Sequence, residues 1–138
     1  MYFTAIHLVA RHDYTAEQLE AWAPQNLDMA KWNKKMRDIN PFVAVLNGEL
    51  VGYADIQLNG YIDHFFVSGN HPRRGIGTLL MTRIFEEARS HGMQILTSDV
   101  SRTAQPFFAK FGFGTVEERR PTVRGVEVPN ARMSRNME

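Results

Sequence analysis

The sequence contains no cysteine. That excludes disulfides, a thiolate nucleophile and a cysteine-ligated zinc site. It also lacks a dominant charge: 16 Lys+Arg against 15 Asp+Glu leave a formal +1, so no global field draws it to nucleic acid or to an anionic membrane. No apolar run approaches the ~20 residues of a spanning helix, and Met1-Tyr2-Phe3-Thr4 has no basic flank of a secretory leader. A cytoplasmic protein with no membrane or nucleic-acid partner is expected. Gly-x-Gly-x-x-Gly is missing because position 80 is Leu80, and the P-loop ending is missing because Gly77 is followed by Thr78 and Leu79. His7 and His12 are five apart, off the i, i+4 spacing of a helical metal pair, so no metal is expected. There is no repeat, low-complexity tract or linker. With 138 residues and 43% hydrophobic content, one globular domain over residues 1–138 is expected, able to bury roughly two-thirds of its unfolded surface.

What is present reads as an α+β chain. Phe3, Ile6, His7 and Ala10 fall at helical spacing, predicting a helix over Tyr2–Arg11. Thr15 and Gln18 have capping-box spacing, predicting a helix over Thr15–Ala23 that ends at Pro24. Asp28–Arg37 reads as a third helix. Phe42–Leu46 is a continuous apolar run, expected as a strand buried on both faces. Asn47-Gly48 and Asn59-Gly60 are hairpin signals between that strand, Glu49–Leu58 and Tyr61–Val67, which gives an antiparallel three-stranded meander. A helix follows with Ile76, Leu80, Ile84 and Ala88 at i+4 steps, stopped by Gly92. Met93–Thr97 reads as a strand and Pro106–Phe111 as a short helix. Phe113–Glu118 and Val126–Ser134 read as a closing strand pair.

The crossover helix opens on Gly75-Ile76-Gly77-Thr78, and no acid occurs from His64 through Phe85. Free N–H groups at a helix N-terminus, the positive end of its dipole and two glycines form a natural cradle for a phosphate. Arg73 and Arg74 add charge-assisted contacts. A tight turn with solvated arginines explains the same residues, and a lone Gly-x-Gly is a weak signal.

A second segment strengthens it. Val67, then Gly75-Ile76-Gly77 eight residues on, then an amphipathic helix, together with Ser101-Arg102-Thr103-Ala104-Gln105-Pro106-Phe107-Phe108-Ala109-Lys110-Phe111-Gly112-Phe113, resembles the GNAT superfamily of N-acetyltransferases. Tyr14–Leu19 and Ala21-Trp22 resemble its YafP-like branch of bacterial acetyltransferases. The resemblance implies a mostly antiparallel mixed sheet with helices on both faces, and acetyl-CoA as cofactor. It implies that Phe66 and Val67 pair their backbone with the pantetheine arm, and that Arg73, Arg74, Gly75, Ile76, Gly77 and Thr78 hold the pyrophosphate. It further implies that Ser101 contacts the cofactor and that Phe107 and Phe108 line its channel. Three departures stand out. Pro72 replaces a Gln or Arg and has no N–H. Phe108 stands where a general-acid tyrosine is frequent. The family's opening strand has no counterpart here, because Tyr2–Arg11 reads as helix. The chain is therefore expected to begin late or to lack that strand. Phe42–Leu46 would then lie at a sheet edge for a homodimer partner or a rearranged N-terminus to cover.

The implied reaction moves acetyl directly to a primary amine of a small molecule, since zero cysteine excludes a cysteine-bound acetyl intermediate. A protein amine, or a binding module that has lost chemistry, are the alternatives. The reaction needs a base for the amine and N–H groups for the thioester carbonyl, expected at a bulge in Tyr61–Val67. Asp63 is the first candidate base and Asp99 the second, with structural carboxylates as the plain alternative for both. His64 has the best free pKa for a base, with a satisfied packing histidine as the commoner explanation, and Tyr61 and Ser98 are candidate acid or water-positioning groups. His7, His12, Tyr14 and Trp22 are candidate walls of the acceptor site, and Arg119, Arg120 and Arg124 read as a solvated basic loop.

Overall fold

The computed structural model describes residues 2, 6–7, 10–26, 28–70 and 75–137. Most of the expected helix over Tyr2–Arg11, together with Pro72, Arg73 and Arg74, lies outside the described residues. A 3-10 turn at Ala10–His12 leads into α1, Ala16–Trp22. There Thr15 accepts from the Gln18 backbone while the Gln18 side chain accepts from Thr15, so the expected capping box is formed. Asp28 caps α2, Met29–Ile39, by accepting from Ala30 and Lys31 N–H.

Strands β1 (Phe42–Leu46), β2 (Glu49–Ala54) and β4 (Phe65–Val67) make the antiparallel meander in the order β1-β2-β4. The crossover helix α3, Ile76–Ser90, packs on it and runs into β5, Ile95–Ser101. Helix α4 (Gln105–Lys110) and β6 (Gly114–Arg119) follow, then a two-residue hairpin, β7 (Thr122–Val123) with β8 (Val126–Glu127), and finally β9, Asn130–Asn136. β9 lies antiparallel between β5 and β6. Helices α3 and α4 cover one face with an apolar core of Ile62, Met81, Ile84, Leu96, Phe108 and Phe113. On the other face, Trp32 of α2 packs on Tyr53 of β2 and Trp22 of α1 on Phe66 of β4. Among the described residues no helix is long and apolar enough to cross a membrane.

Three sequence expectations change. Phe42–Leu46 is not buried on both faces: Val43 and Val45 are 56% and 60% exposed, because β1 pairs only with β2 among the described residues. Val126–Ser134 is interrupted at Val128-Pro129, where proline can offer no ladder N–H. The third change builds the site. Tyr61–Val67 is not one strand, since Tyr61–Ile62 (β3) pairs in parallel with β5 while β4 pairs with β2.

Candidate active site

The break at Asp63-His64 has a local cause that hydrophobic periodicity does not show. Asp55, fully buried, follows the last residue of β2. Its Oδ1 accepts from the backbone N–H of Asp63 at 3.1 Å and of His64 at 2.6 Å, and its Oδ2 accepts from Gln57 Nε2. Two consecutive N–H groups are thereby withdrawn from strand pairing, and the chain leaves one sheet for the other. Ser98 Oγ donates to Ile62 C=O at 2.8 Å and holds the near side. Burial pushes the Asp55 carboxyl above its ordinary range, against the opposing pull of the His64, Gln57 and Asp63 donors.

The break opens a gap between β4 and β5, which are not paired with each other. Asp55 N–H bonds His64 C=O and Ser68 N–H bonds Val51 C=O. The alternation of an antiparallel ladder then makes Tyr53–Phe66 a hydrogen-bonded pair. The backbone of Phe66, expected on the open edge, is therefore turned into the sheet. Phe65 and Val67 present their N–H and C=O groups to the gap instead. Strand alternation alone would set Ile62, His64 and Phe66 on one face and Phe65 on the other; instead Ile62 and Phe65 both join the apolar core, while His64 packs with Phe66 on the opposite side. The N–H groups of the break itself, Asp63 and His64, already bond Asp55 and are not free for a ligand.

At the far end of β4, α3 starts from Gly75 at φ +72°, a conformation that glycine adopts without strain. No side chain caps this helix and no acid lies in its first turn, so Ile76, Gly77 and Thr78 carry the N–H groups of its positive end. A Cβ on Gly77 would stand 3.1 Å from the Phe107 ring. Phe107 is thus fitted against the helix start. Phe108, expected in a channel, is 2% exposed and packs edge-on against Phe65 and Phe113 in the core.

Beside the gap is a cavity of about 170 Å³, lined on its polar side by Asp63, Asp99, Ser101 and Asn130, and on its aromatic side by Tyr2, Tyr14, Trp22 and Phe66. Asp63 is paired with Lys35 of α2, and its side chain is 26% exposed. Asp99 receives two hydrogen bonds from Arg132, at 3.0 and 3.2 Å, and one from Tyr61 OH at 3.1 Å, with Arg119 at 3.5 Å. Burial opposes the charge on Asp99, but these donors and cations outweigh it and hold the carboxyl below its usual range. Burial and the Asp99 charge push Tyr61 up to about 12. His64 shares a 2.9 Å hydrogen bond with Tyr53 through Nδ1. Burial drops it to about 4, with the Asp63 charge opposing and Lys35 assisting, so its ring is neutral at pH 7.

The fold thus brings Asp63, Asp99, Tyr61 and Ser101 together. It places Tyr14 and Trp22 on the cavity, and Tyr14 also joins two segments by donating to Pro129 C=O and accepting from Arg102 N–H. His7 bonds the Ala23 carbonyl, and His12 is exposed. The basic loop is not merely solvated: Arg119 reaches Asp99, Arg120 pairs with Glu127, and Arg124 donates to Ala21 C=O at 2.7 Å. Sequence reasoning missed Asp55, Phe65, Lys35 and Asn130. Asp55 had a faint signal, an acid in an apolar alternation directly before a turn.

Comparison with known proteins agrees with this architecture. The acetyltransferase (GNAT) domain family matches residues 10–134. The chain is 32% identical to the uncharacterised N-acetyltransferase YafP of Escherichia coli (strain K12) over 94% of its length and 81% of that protein. It superposes on a GCN5-related N-acetyltransferase from Rhodopseudomonas palustris with a TM-score of 0.90 at 30% identity, covering 98% of this chain and 84% of the other. The PaiA N-acetyltransferase of Thermoplasma acidophilum, solved with coenzyme A, shares the fold at a TM-score of 0.71 and 14% identity, over 97% and 87% of the two chains. With a family match over nearly its whole length and a relative of this similarity, the chain belongs to the GNAT acetyltransferases.

Proposed function

We propose that the protein transfers the acetyl group of acetyl-CoA directly to a primary amine of a small molecule. The observation that carries this reading is the gap between β4 and β5, forced open by Asp55 and flanked by an unpaired strand edge, an uncapped helix start and two carboxylates. The residues present fit the cofactor. An amide-bearing arm can add to the Phe65–Val67 edge as a strand does. A pyrophosphate suits the N–H groups of Ile76, Gly77 and Thr78 and the helix dipole, and Arg73 and Arg74 add charge. Ser101 Oγ accepts from Ala104 N–H, which leaves its own hydrogen to donate.

Acetyl-CoA supplies an activated thioester carbonyl. Val67 would hold the arm in register, and Phe65 N–H, next to the break, would be the donor available to the thioester carbonyl. An amine arrives at neutral pH as an ammonium and must lose a proton before it can attack. Asp63 takes it: it is the less constrained carboxylate, with one cation partner against the three donors on Asp99. Asp99 and Tyr61 orient water and the acceptor from the opposite wall. No general acid is needed at Phe108, since a thiol with pKa about 8.5 leaves readily as thiolate. The 170 Å³ cavity suits a small acceptor better than a protein surface.

Acetyl-CoA should raise thermal stability by mass action, and thiol release should follow on addition of small primary amines. Asp63→Asn should lower kcat by about 10²–10⁴-fold while leaving the acetyl-CoA thermal shift in place. Unchanged turnover and an unchanged pH profile would reject Asp63 as the base. Cofactor binding with no thiol release across the amines would reject the transfer itself.

A further inference from the structure

A second cavity, of about 190 Å³, adjoins the first and shares Tyr2, Trp22 and His64 as walls. Its remaining lining is Asp28, Lys31, Trp32, Lys35 and Arg124. The polar groups of the two cavities differ in kind. The inner one offers acceptors: Asp63, Asp99, and Asn130 Oδ1, which is buried and has no hydrogen-bond partner among the described residues. The outer one offers cations. Lys35 is neutralised by Asp63, and Asp28 faces the same space as Lys31 and Arg124. Among the described residues, one positive charge is left in excess. Lys31 is exposed and has no side-chain partner among the described residues.

We infer that the acceptor is an amino carboxylic acid with an aromatic or flat apolar body. Its ammonium faces Asp63, Asp99 and the orphaned Asn130 oxygen, its body lies along Tyr2 and Trp22, and its carboxylate meets Lys31 and Arg124. A single excess positive charge matches a monoanionic carboxylate better than a dianionic phosphate. Two aromatic walls favour a planar body over a sugar or polyamine. This inference rests on the acetyl-transfer reading for the role of the inner cavity, but the outer cavity can be probed without turnover.

The chain has two tryptophans, and both line the outer cavity, so intrinsic fluorescence reports on it directly. In the full chain saturated with CoA, 3-phenylpropionate should change the tryptophan emission saturably, whereas the uncharged 3-phenylpropionamide should bind at least about fivefold more weakly. Lys31→Glu should weaken 3-phenylpropionate by about tenfold. A glutamate in the first turn of α2 suits the helix dipole, so this variant folds. Arg124→Gln is the independent second variant and should act in the same direction. In turnover, phenylalanine should show a lower KM than phenethylamine, and Lys31→Glu should remove that preference. Equal binding of the carboxylate and its amide, or a carboxylate affinity unmoved by both variants, would overturn the inference. The parent reading fails by a different result, the absence of an acetyl-CoA thermal shift or of thiol release with every amine, and neither depends on the fluorescence titration.

Discussion

The two apolar clusters of this molecule are built from different residues and do different work. The one between α3 and the sheet has an aliphatic centre of Ile62, Met81, Ile84 and Leu96, fully buried, and phenylalanines at its α4 end, Phe108 and Phe113 among them; none of these carries a polar atom that needs a partner. Such side chains interdigitate without regard to direction and close the space they share. The one on the opposite face adds polar-tipped rings to buried Ile6, Leu19 and Val128. Tyr2, Trp22 and Phe66 are only partly buried, and His64 and Tyr53 join through a hydrogen bond. Flat rings meet at 4.8 to 6.4 Å with tilted or edge-on geometry, and the angles between them leave the two cavities. Packing without polar tips holds the sheet together here, and the polar-tipped rings leave room with defined chemistry on its walls.

The largest break of that division comes from the aliphatic side. Ile84→Ala should cost about 2–5 kcal/mol of stability by lost burial and an unfilled cavity. Urea unfolding should show the loss as a lower midpoint at constant slope, while KM for acetyl-CoA stays at the original value in the folded fraction. A raised KM would show that the aliphatic core also sets site geometry.

The next effect lies on the seam. Asp55→Ala leaves the Asp63 and His64 N–H groups without their acceptor, which should cost about 2–3 kcal/mol, and it frees them to re-pair and close the gap. Asp55→Asn keeps Oδ1 for both N–H groups but sets an amide NH2 against Gln57 Nε2, itself engaged with Ile39 C=O at 3.0 Å. Removal of a buried charge offsets part of this, so the asparagine variant should lose less than half as much stability. Asp55 therefore acts as a positioning residue for the site. Its variants should lower kcat more than the stability loss explains, with the asparagine variant recovering most of it.

What was legible in the sequence follows the range of the interactions involved. The capping box of α1 and the periodicity of α3 are contacts within a turn or two, and both stand as read. The glycine turn and the aromatic segment after Ser101 placed the helix start and Phe107 because spacing along the chain is enough for that. The division of Tyr61–Val67 was not legible, since it depends on a carboxylate eight residues upstream folding back across a strand pair. The exposure of Val43 and Val45 was hidden for a related reason: an apolar run reports its own composition and not how many strands flank it. The distinction between Asp63 and Asp99 was equally invisible. It lies in Lys35, Arg119 and Arg132, contributed by other elements.

The smallest expected effect sharpens the aromatic side through pH. His64 is held near 4, below the roughly 6.5 of an unfolded histidine, so the native state binds fewer protons than the unfolded one in that window. Its contribution to stability is fully present above about pH 6.5 and is lost as pH falls towards 4. Asp63 and Lys35 face the same ring and act in opposite senses, and Tyr53 bonds its Nδ1. Between pH 7 and 5, where ordinary carboxylates stay ionised, the loss should be about 1–2 kcal/mol, read as a falling urea midpoint. Asp55, whose carboxyl is raised by burial, shifts stability the other way and is common to parent and variant. His64→Phe keeps an aromatic wall, so the difference in slope between the two proteins isolates the histidine. Parallel slopes would mean that the ring gains a proton without cost, and the cluster would then be wetter than its aromatic packing implies.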